Sequence, residues 1–232
     1  MKTDSARARP AGTGDGRSPD VLSPTLLAWL AAEPMARGTV LDVGAGTGRL
    51  ALALAPRARR VLGLDVDAGA LVEARRRGRR AGLGNVLFVV ADAEQADYRA
   101  LGRPDLVAAH VCMSDAIIQR AAEGLSRGGV LAFAAFHVDQ WRETGRVSRF
   151  AYDEERARAV LGAAGFRVER LEVEREVLRF DSEAEARAAT ARLRARWEAD
   201  GRWAGWERFL AEGGRTLTEG RVVVLARRAE SP

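Results

Sequence analysis

The sequence predicts an α/β protein: a seven-stranded, mostly parallel sheet with an antiparallel last strand and helices on both faces. Two observations carry this. Short apolar runs alternate with helical stretches through most of the chain, which is the pattern of a parallel sheet joined by helical crossovers. The runs are also apolar nearly throughout, as in Val86-Leu87-Phe88-Val89-Val90 and Val130-Leu131-Ala132-Phe133-Ala134-Ala135-Phe136. Strands covered on one face only would alternate apolar and polar residues; these read as covered on both.

The elements follow in order. Residues 1–19, rich in Arg, Gly, Ser, Asp and Pro without periodicity, read as a mobile tail, and residues 20–232 as a single domain. Ser23-Pro24 starts a helix with a capping serine and a proline at its first position. Leu26, Leu27, Trp29 and Leu30 give that helix an apolar face, and Pro34 and Gly38 bracket its exit. Strand 39–43 leads into helix 47–55, which stops at Pro56. Strand 60–65 leads into helix 68–81, which stops at Gly82-Leu83-Gly84. Strand 86–90 precedes a short helix around 94–101, and strand 105–111 precedes helix 115–126, ended by Arg127-Gly128-Gly129. Strand 130–136, helix 153–164 with Gly165 behind it, and strand 166–178 complete the alternation. A helical insertion over 183–215 carries Trp197, Trp203 and Trp206; strand 221–227 follows it without a standard crossover and is expected to insert antiparallel.

Composition narrows the class. The chain is 47% hydrophobic and 30% charged, ordinary for a soluble globular protein. No apolar run approaches the roughly 20 residues of a membrane span, and the N-terminus lacks the apolar core of a signal peptide, so the expected location is cytoplasmic. Cys112 is the single cysteine, which excludes an internal disulfide framework and a cysteine-cluster metal site; no metal is expected. The net charge of +5 comes almost wholly from arginine, with Lys2 the single lysine. The run Arg75, Arg76, Arg77, Arg79 and Arg80, with Glu73 nearby, reads as a solvated helix face rather than a nucleic-acid patch.

The chemistry concentrates in Val40-Leu41-Asp42-Val43-Gly44-Ala45-Gly46-Thr47-Gly48, an apolar strand running into a glycine-rich turn and a helix. Such a turn presents backbone N–H groups to a nucleotide-like ligand. Asp65 ends the next strand about 20 residues on, the spacing at which a carboxylate reaches ribose hydroxyls. The glycines are spaced G-x-G-x-G, not the G-x-G-x-x-G of dinucleotide sites, and Asp42 lies within the preceding strand. A carboxylate there repels a pyrophosphate and favours a ligand with a cationic amino-acid end, which argues against NAD.

With these residues the chain resembles the class I S-adenosylmethionine-dependent methyltransferases, whose first motif is an acid-x-G-x-G-x-G turn after the first strand. Asp42-Val43-Gly44-Ala45-Gly46-Thr47-Gly48 matches it without a gap, residues 40–136 fit well, and 153–180 fit loosely. The resemblance implies a Rossmann-like methyltransferase fold and S-adenosylmethionine as cofactor, with S-adenosylhomocysteine as product. It implies that the loop from Gly44 through Ala45 and Gly46 to Gly48 wraps the methionine part, with Asp42 near the amino group. It further implies that Asp65 bonds the ribose with Val66 beside the adenine, and that Asp92 takes the adenine amino group with the Ala93 N–H close by.

Acceptor groups are expected at the ends of the fourth and fifth strands, where His110 and His137 both fall. Either histidine is a candidate catalytic base or ligand contact, His110 also beside the cofactor, and a structural hydrogen bond is the alternative for each. Ser114-Asp115 reads as a helix start and Cys112 as a small buried filler. The Asn-Pro-Pro-aromatic motif of many amino-methylating family members is absent after the fourth strand, which turns the reading away from nucleobase or glutamine amines. Trp141, Trp197, Trp203 and Trp206 read as a satellite core holding the insertion, with pocket lining or a dimer interface as alternatives. The expected function is methyl transfer to a small molecule. An RNA methyltransferase and a non-catalytic S-adenosylmethionine-binding protein are the rivals.

Overall fold

The computed structural model describes residues 21–34 and 38–229; the tail read over 1–19 lies outside them. The elements are α1 (Pro24–Ala32), β1 (Thr39–Val43), α2 (Arg49–Leu54), β2 (Arg60–Asp65), α3 (Ala68–Arg80), β3 (Val86–Val90), β4 (Leu106–His110), α4 (Asp115–Gly124), β5 (Val130–Phe136), α5 (Glu154–Ala163), β6 (Phe166–Arg179), α6 (Glu183–Thr190), α7 (Arg194–Ala199), α8 (Arg202–Ala211) and β7 (Thr216–Arg228). One seven-stranded sheet runs in the order β3-β2-β1-β4-β5-β7-β6. β7 pairs antiparallel with β5 on one side and β6 on the other, as expected of the last strand, while the remaining pairs are parallel.

Strand periodicity sorts the core into two layers. Along β5, Val130, Ala132 and Ala134 point into the layer under α1, α2 and α3, with Leu30, Leu50 and Leu71. Leu131, Phe133 and Ala135 point into the layer under α4 and α5, with Ile118 and Leu161. Both sets are buried, which is why the strand is apolar at every position. Ser23, Asp67, Ser114, Asp153 and Ser182 cap α1, α3, α4, α5 and α6, each side chain accepting a backbone N–H of the first turn.

Three expectations are corrected. The helix expected over 47–55 is shorter, because Gly48 is its cap and Ala55–Arg57 tighten into a 3₁₀ turn at Pro56. The helix expected around 94–101 is a pair of turns instead. The Asp92 carboxylate accepts the Glu94 N–H and the Asp97 carboxylate accepts the Arg99 N–H, so each aspartate closes its own turn. The last strand begins five residues earlier than expected, at Thr216 rather than 221. Its first part pairs with β6 alone, from Arg175↔Gly220 to Arg179↔Thr216, as a two-stranded ribbon beyond the end of β5.

The segment after β5 takes β5's place along that ribbon. The His137 N–H donates to Gly220 O, the Trp141 N–H to Thr218 O, and the Glu143 carboxylate accepts both the N–H and the hydroxyl of Thr218. Beside it the insertion forms a third apolar cluster of Trp141, Ala186, Leu193, Trp197, Trp206, Leu210 and Leu217. Among the described residues no helix is long and apolar enough to cross a membrane. The arginine run on α3 is a solvated face: Arg76 and Arg77 pair with Glu73, and Arg75 donates to Phe88 O.

Candidate functional site

The turn after β1 is shaped by three left-handed glycines, Gly44, Gly46 and Gly48. At Gly44 a side chain is excluded twice over: φ is +69°, and an added Cβ would overlap the Cβ and Sγ of Cys112 beneath the loop. At Gly48, with φ +82°, a Cβ would stand 2.9 Å from the Phe88 ring and 3.0 Å from Ala74 Cβ, so the absence of a side chain lets α2 start against β3 and α3. Backbone bonds then tie the loop to the next strand. The Ala45 N–H donates to Leu64 O at 2.8 Å, and the Gly46 N–H to the Asp65 carboxylate at 2.7 Å. The other Asp65 oxygen accepts the Asp67 N–H at 2.9 Å. Asp65 therefore fixes the loop and the start of α3 together.

Asp42 lies under the loop, 1% exposed, with one oxygen accepting the Ala51 N–H at 2.9 Å. Burial pushes its carboxyl up to about 7; the Ala51 N–H works against this and the Asp65 charge adds to it.

Above the carboxyl ends of β1, β2, β4 and β5 opens a cleft of about 350 Å³, within the range of small-molecule sites. Of the residues singled out in the sequence, Gly44, Asp65, Val66, Asp92 and Ala93 line it. Val66 is 69% exposed at its rim, an apolar side chain with one face uncovered. The Asp92 carboxylate accepts from the Glu94 N–H and the Gln95 side-chain amide, and Ala93 O accepts the Tyr98 hydroxyl, which holds this rim in place. Asp42, Ala45, Gly46 and Gly48 do not line the cleft; they support the turn that does.

The two histidines stand elsewhere. His110, at the end of β4, is buried and its Nε2 accepts the Ser23 N–H at 3.1 Å, which ties α1 to the sheet. Burial, and then the charges of Arg221 and Arg49, hold its ring down to about 3, so it is neutral at physiological pH. His137 is buried beside the β6–β7 ribbon; its Nδ1 accepts the Asp139 N–H at 3.1 Å and its Nε2 faces the Glu154 carboxylate at 3.4 Å. Neither ring lines the cleft. Asp115 does not touch His110. It accepts the Tyr152 hydroxyl at 2.6 Å and pairs with Arg156, while Ser114 caps α4 as the sequence implies.

Cys112 does line the cleft, and burial and then the nearby carboxylates push its thiol up to about 12, which disfavours the thiolate. Sequence reasoning missed Val111, Met113, Ile117, Phe136, Ser148, Phe150 and Arg196, which line the other half of the cleft. Phe136 was available as the residue ending the fifth strand. Val111 holds a left-handed φ of +52°, a strained state for a β-branched residue, with its N–H bonded to Ala134 O at 2.7 Å. Arg196 carries no motif at all.

Residues 40–129 match the family described as methyltransferase domain. The chain is 43% identical over 63 residues to a 23S rRNA (uracil(1939)-C(5))-methyltransferase of Stenotrophomonas maltophilia, covering 27% of this chain and 14% of that protein. It is 40% identical over 86 residues to a ribosomal protein L11 methyltransferase of Alteromonas mediterranea, covering 37% and 28%. The chain thus spans less than a third of the length of these curated relatives. Among solved structures, that of a putative methyltransferase from Bacillus halodurans superposes with a TM-score of 0.65 at 20% identity, over 88% of this chain and 99% of that one. Residues 40–129 thus match a methyltransferase domain, and the seven-stranded sheet has the class I methyltransferase fold.

Proposed function

We propose that the protein binds S-adenosylmethionine in this cleft and transfers its methyl group to a small-molecule acceptor. The observation that carries the reading is Asp65: its carboxylate fixes the Gly46 N–H and shares one cavity with Gly44, Val66, Asp92 and Ala93. The residues fit the group. Gly44 lets the turn close onto Cys112 and present bare backbone to the cleft, and the exposed Val66 offers an apolar face beside carboxylates suited to hydroxyl and amino donors. Asp65 would hold the ribose, Asp92 and Ala93 the adenine edge, and the Gly44–Gly48 loop the methionine part.

When bound, this cofactor supplies an electrophilic methyl group on a sulfonium. The chain's own contribution is alignment and exclusion of water. No histidine lines the cleft and the Cys112 thiol stays protonated, so the protein offers no imidazole or thiolate base there. The titratable groups it does offer there are the carboxylates of Asp65, Asp92 and Glu94.

Titration calorimetry with S-adenosylhomocysteine tests the reading. The wild-type protein is expected to bind, and Asp65→Ala to weaken binding by about 2 kcal/mol, the scale of lost hydrogen bonds to a charged group. Absence of binding by the wild type overturns it. The second reading, an RNA acceptor, is favoured by the net charge of +5 and by the rRNA methyltransferase match. It predicts RNA affinity that falls steeply with salt.

A further inference from the structure

The half of the cleft at the ends of β4 and β5 is apolar apart from Ser114, Ser148 and one cation. Phe136, Phe150, Met113 and Ile117 form its walls, and Arg196 reaches it from α7. The guanidinium lies over two rings, 5.9 Å from the centroid of Phe136 and 5.6 Å from that of Trp141. Among the described residues no carboxylate pairs with it, in contrast to Arg194 and Arg202, its neighbours in the insertion, which pair with Glu198 and Asp200. The scaffold behind it is rigid. The next residue, Trp197, is fully buried and packs edge-on against Trp141 at 5.1 Å and Trp206 at 5.9 Å. α7 is thereby held in place, with Arg196 on its exposed side at the cleft. A cation stacked on aromatic faces keeps the edge of its fork free for a planar anion.

Position identifies which ligand that anion belongs to. Asp65, which ends β2, and Asp92, which follows β3, are the carboxylates suited to the nucleoside and lie at one side of the sheet. Phe136 ends β5, separated from β2 by β1 and β4. The cleft is thus acidic at one end and basic at the other.

We propose that Arg196 is the specificity-determining residue of the acceptor subsite, and that the acceptor is a small anion, a carboxylate on a flat apolar body, held between Phe136 and Phe150. This rests on the reading of the cleft as an S-adenosylmethionine site. The anion is the handle by which the acceptor is oriented. The open mouth serves any proton released on transfer, which leaves to water.

The test uses the full chain saturated with S-adenosylhomocysteine, titrated with phenylacetate and indole-3-acetate and with their neutral amides. The acids are expected to bind about tenfold more tightly than the amides, the scale of one charge-assisted hydrogen bond. Arg196→Gln should bring the two to within about threefold while leaving S-adenosylhomocysteine affinity within about twofold of wild type. Arg196→Lys, keeping the charge without the fork, should recover part of the preference. Acids and amides binding alike, no acid binding, or a preference that survives Arg196→Gln would each overturn the proposal. So would a tenfold loss of S-adenosylhomocysteine affinity in Arg196→Gln, which would place the guanidinium on the cofactor's own carboxylate. A wild type that fails to bind S-adenosylhomocysteine overturns the proposed function itself and is read before any acceptor is added.

Discussion

The two ends of the cleft are built by different means. The nucleoside end is mostly backbone: a glycine turn, two strand ends and aspartates that bond N–H groups a residue or two away, or across one neighbouring strand. The far end is mostly side chains, drawn from the ends of β4 and β5, the segment at 148–150 and α7. The first depends on local conformation and tolerates little change. The second depends on packing between distant segments and can be rebuilt without disturbing the first. The matched methyltransferase domain, 40–129, holds the nucleoside end and the β4 part of the far end, and stops before Phe136, Phe150 and Arg196.

If the ends are separable, damage to one should spare the other. Trp197→Ala empties a fully buried indole site in the insertion core and is expected to cost about 3–5 kcal/mol of stability. S-adenosylhomocysteine affinity in the folded variant should stay within about threefold of wild type, since distant sites act nearly additively. Urea denaturation followed by calorimetry reads both, and a parallel loss of binding would show that the two ends fold as one unit. Gly44→Ala should do the reverse. It drives a methyl group into Cys112 at a left-handed φ, and should lower S-adenosylhomocysteine affinity by about 2–3 kcal/mol with the tryptophan fluorescence of the insertion unchanged.

A smaller effect compares two buried titrating groups. The Asp42 carboxyl, near 7 when folded and ordinarily near 3.8, binds its proton more tightly in the folded protein. Its contribution to the unliganded protein is therefore present at low pH and lost as pH rises from about 4 to 7. The His110 ring, near 3 when folded and ordinarily near 6.5, contributes above pH 6.5 and loses that contribution as pH falls toward 3. The slopes oppose each other between about pH 4 and 6.5. Asp42→Asn is expected to stabilise the unliganded protein by about 1–2 kcal/mol at pH 8 relative to pH 5, and His110→Gln to flatten the acid side by a similar amount. Urea midpoints at the two pH values check both signs; a wild-type and Asp42→Asn pair that shift in parallel would show that Asp42 ionises freely.

How much of this was legible in the sequence follows the same division. The fold, its strands and the Asp42–Gly48 turn were readable because each rests on short-range rules: period-two burial, left-handed glycines, capping serines. The methyltransferase-domain match falls on those residues. The helix expected around 94–101 failed because two aspartates closed separate turns, which periodicity does not register. The early start of β7 was hidden because Thr216–Gly220 pairs with β6 alone and is not an apolar run. His110 and His137 were rightly placed at strand ends, but a strand end leaves a ring several directions, and here both turn to backbone N–H groups. The tryptophans form the satellite core. What was not readable is that the core aims a neighbouring arginine at the cleft, because that relation joins α7 to β5 across the intervening chain.

One consequence follows from where β7 lies. The final strand of the sheet is an interior one, between β5 and β6. As the chain emerges from synthesis, β5 keeps an unpaired edge and β6 has no sheet to join until Thr216–Arg228 has been made. α5 can pack on β5 and α4 beforehand, but β6 and the insertion must wait, with the edge of β5 and the apolar face of the insertion uncovered. Folding is thus gated by a contact of long sequence separation, which is intrinsically slow and open to edge-to-edge association in the interval. For this protein the vulnerable period is set by the time a nascent chain spends one strand short of a closed sheet.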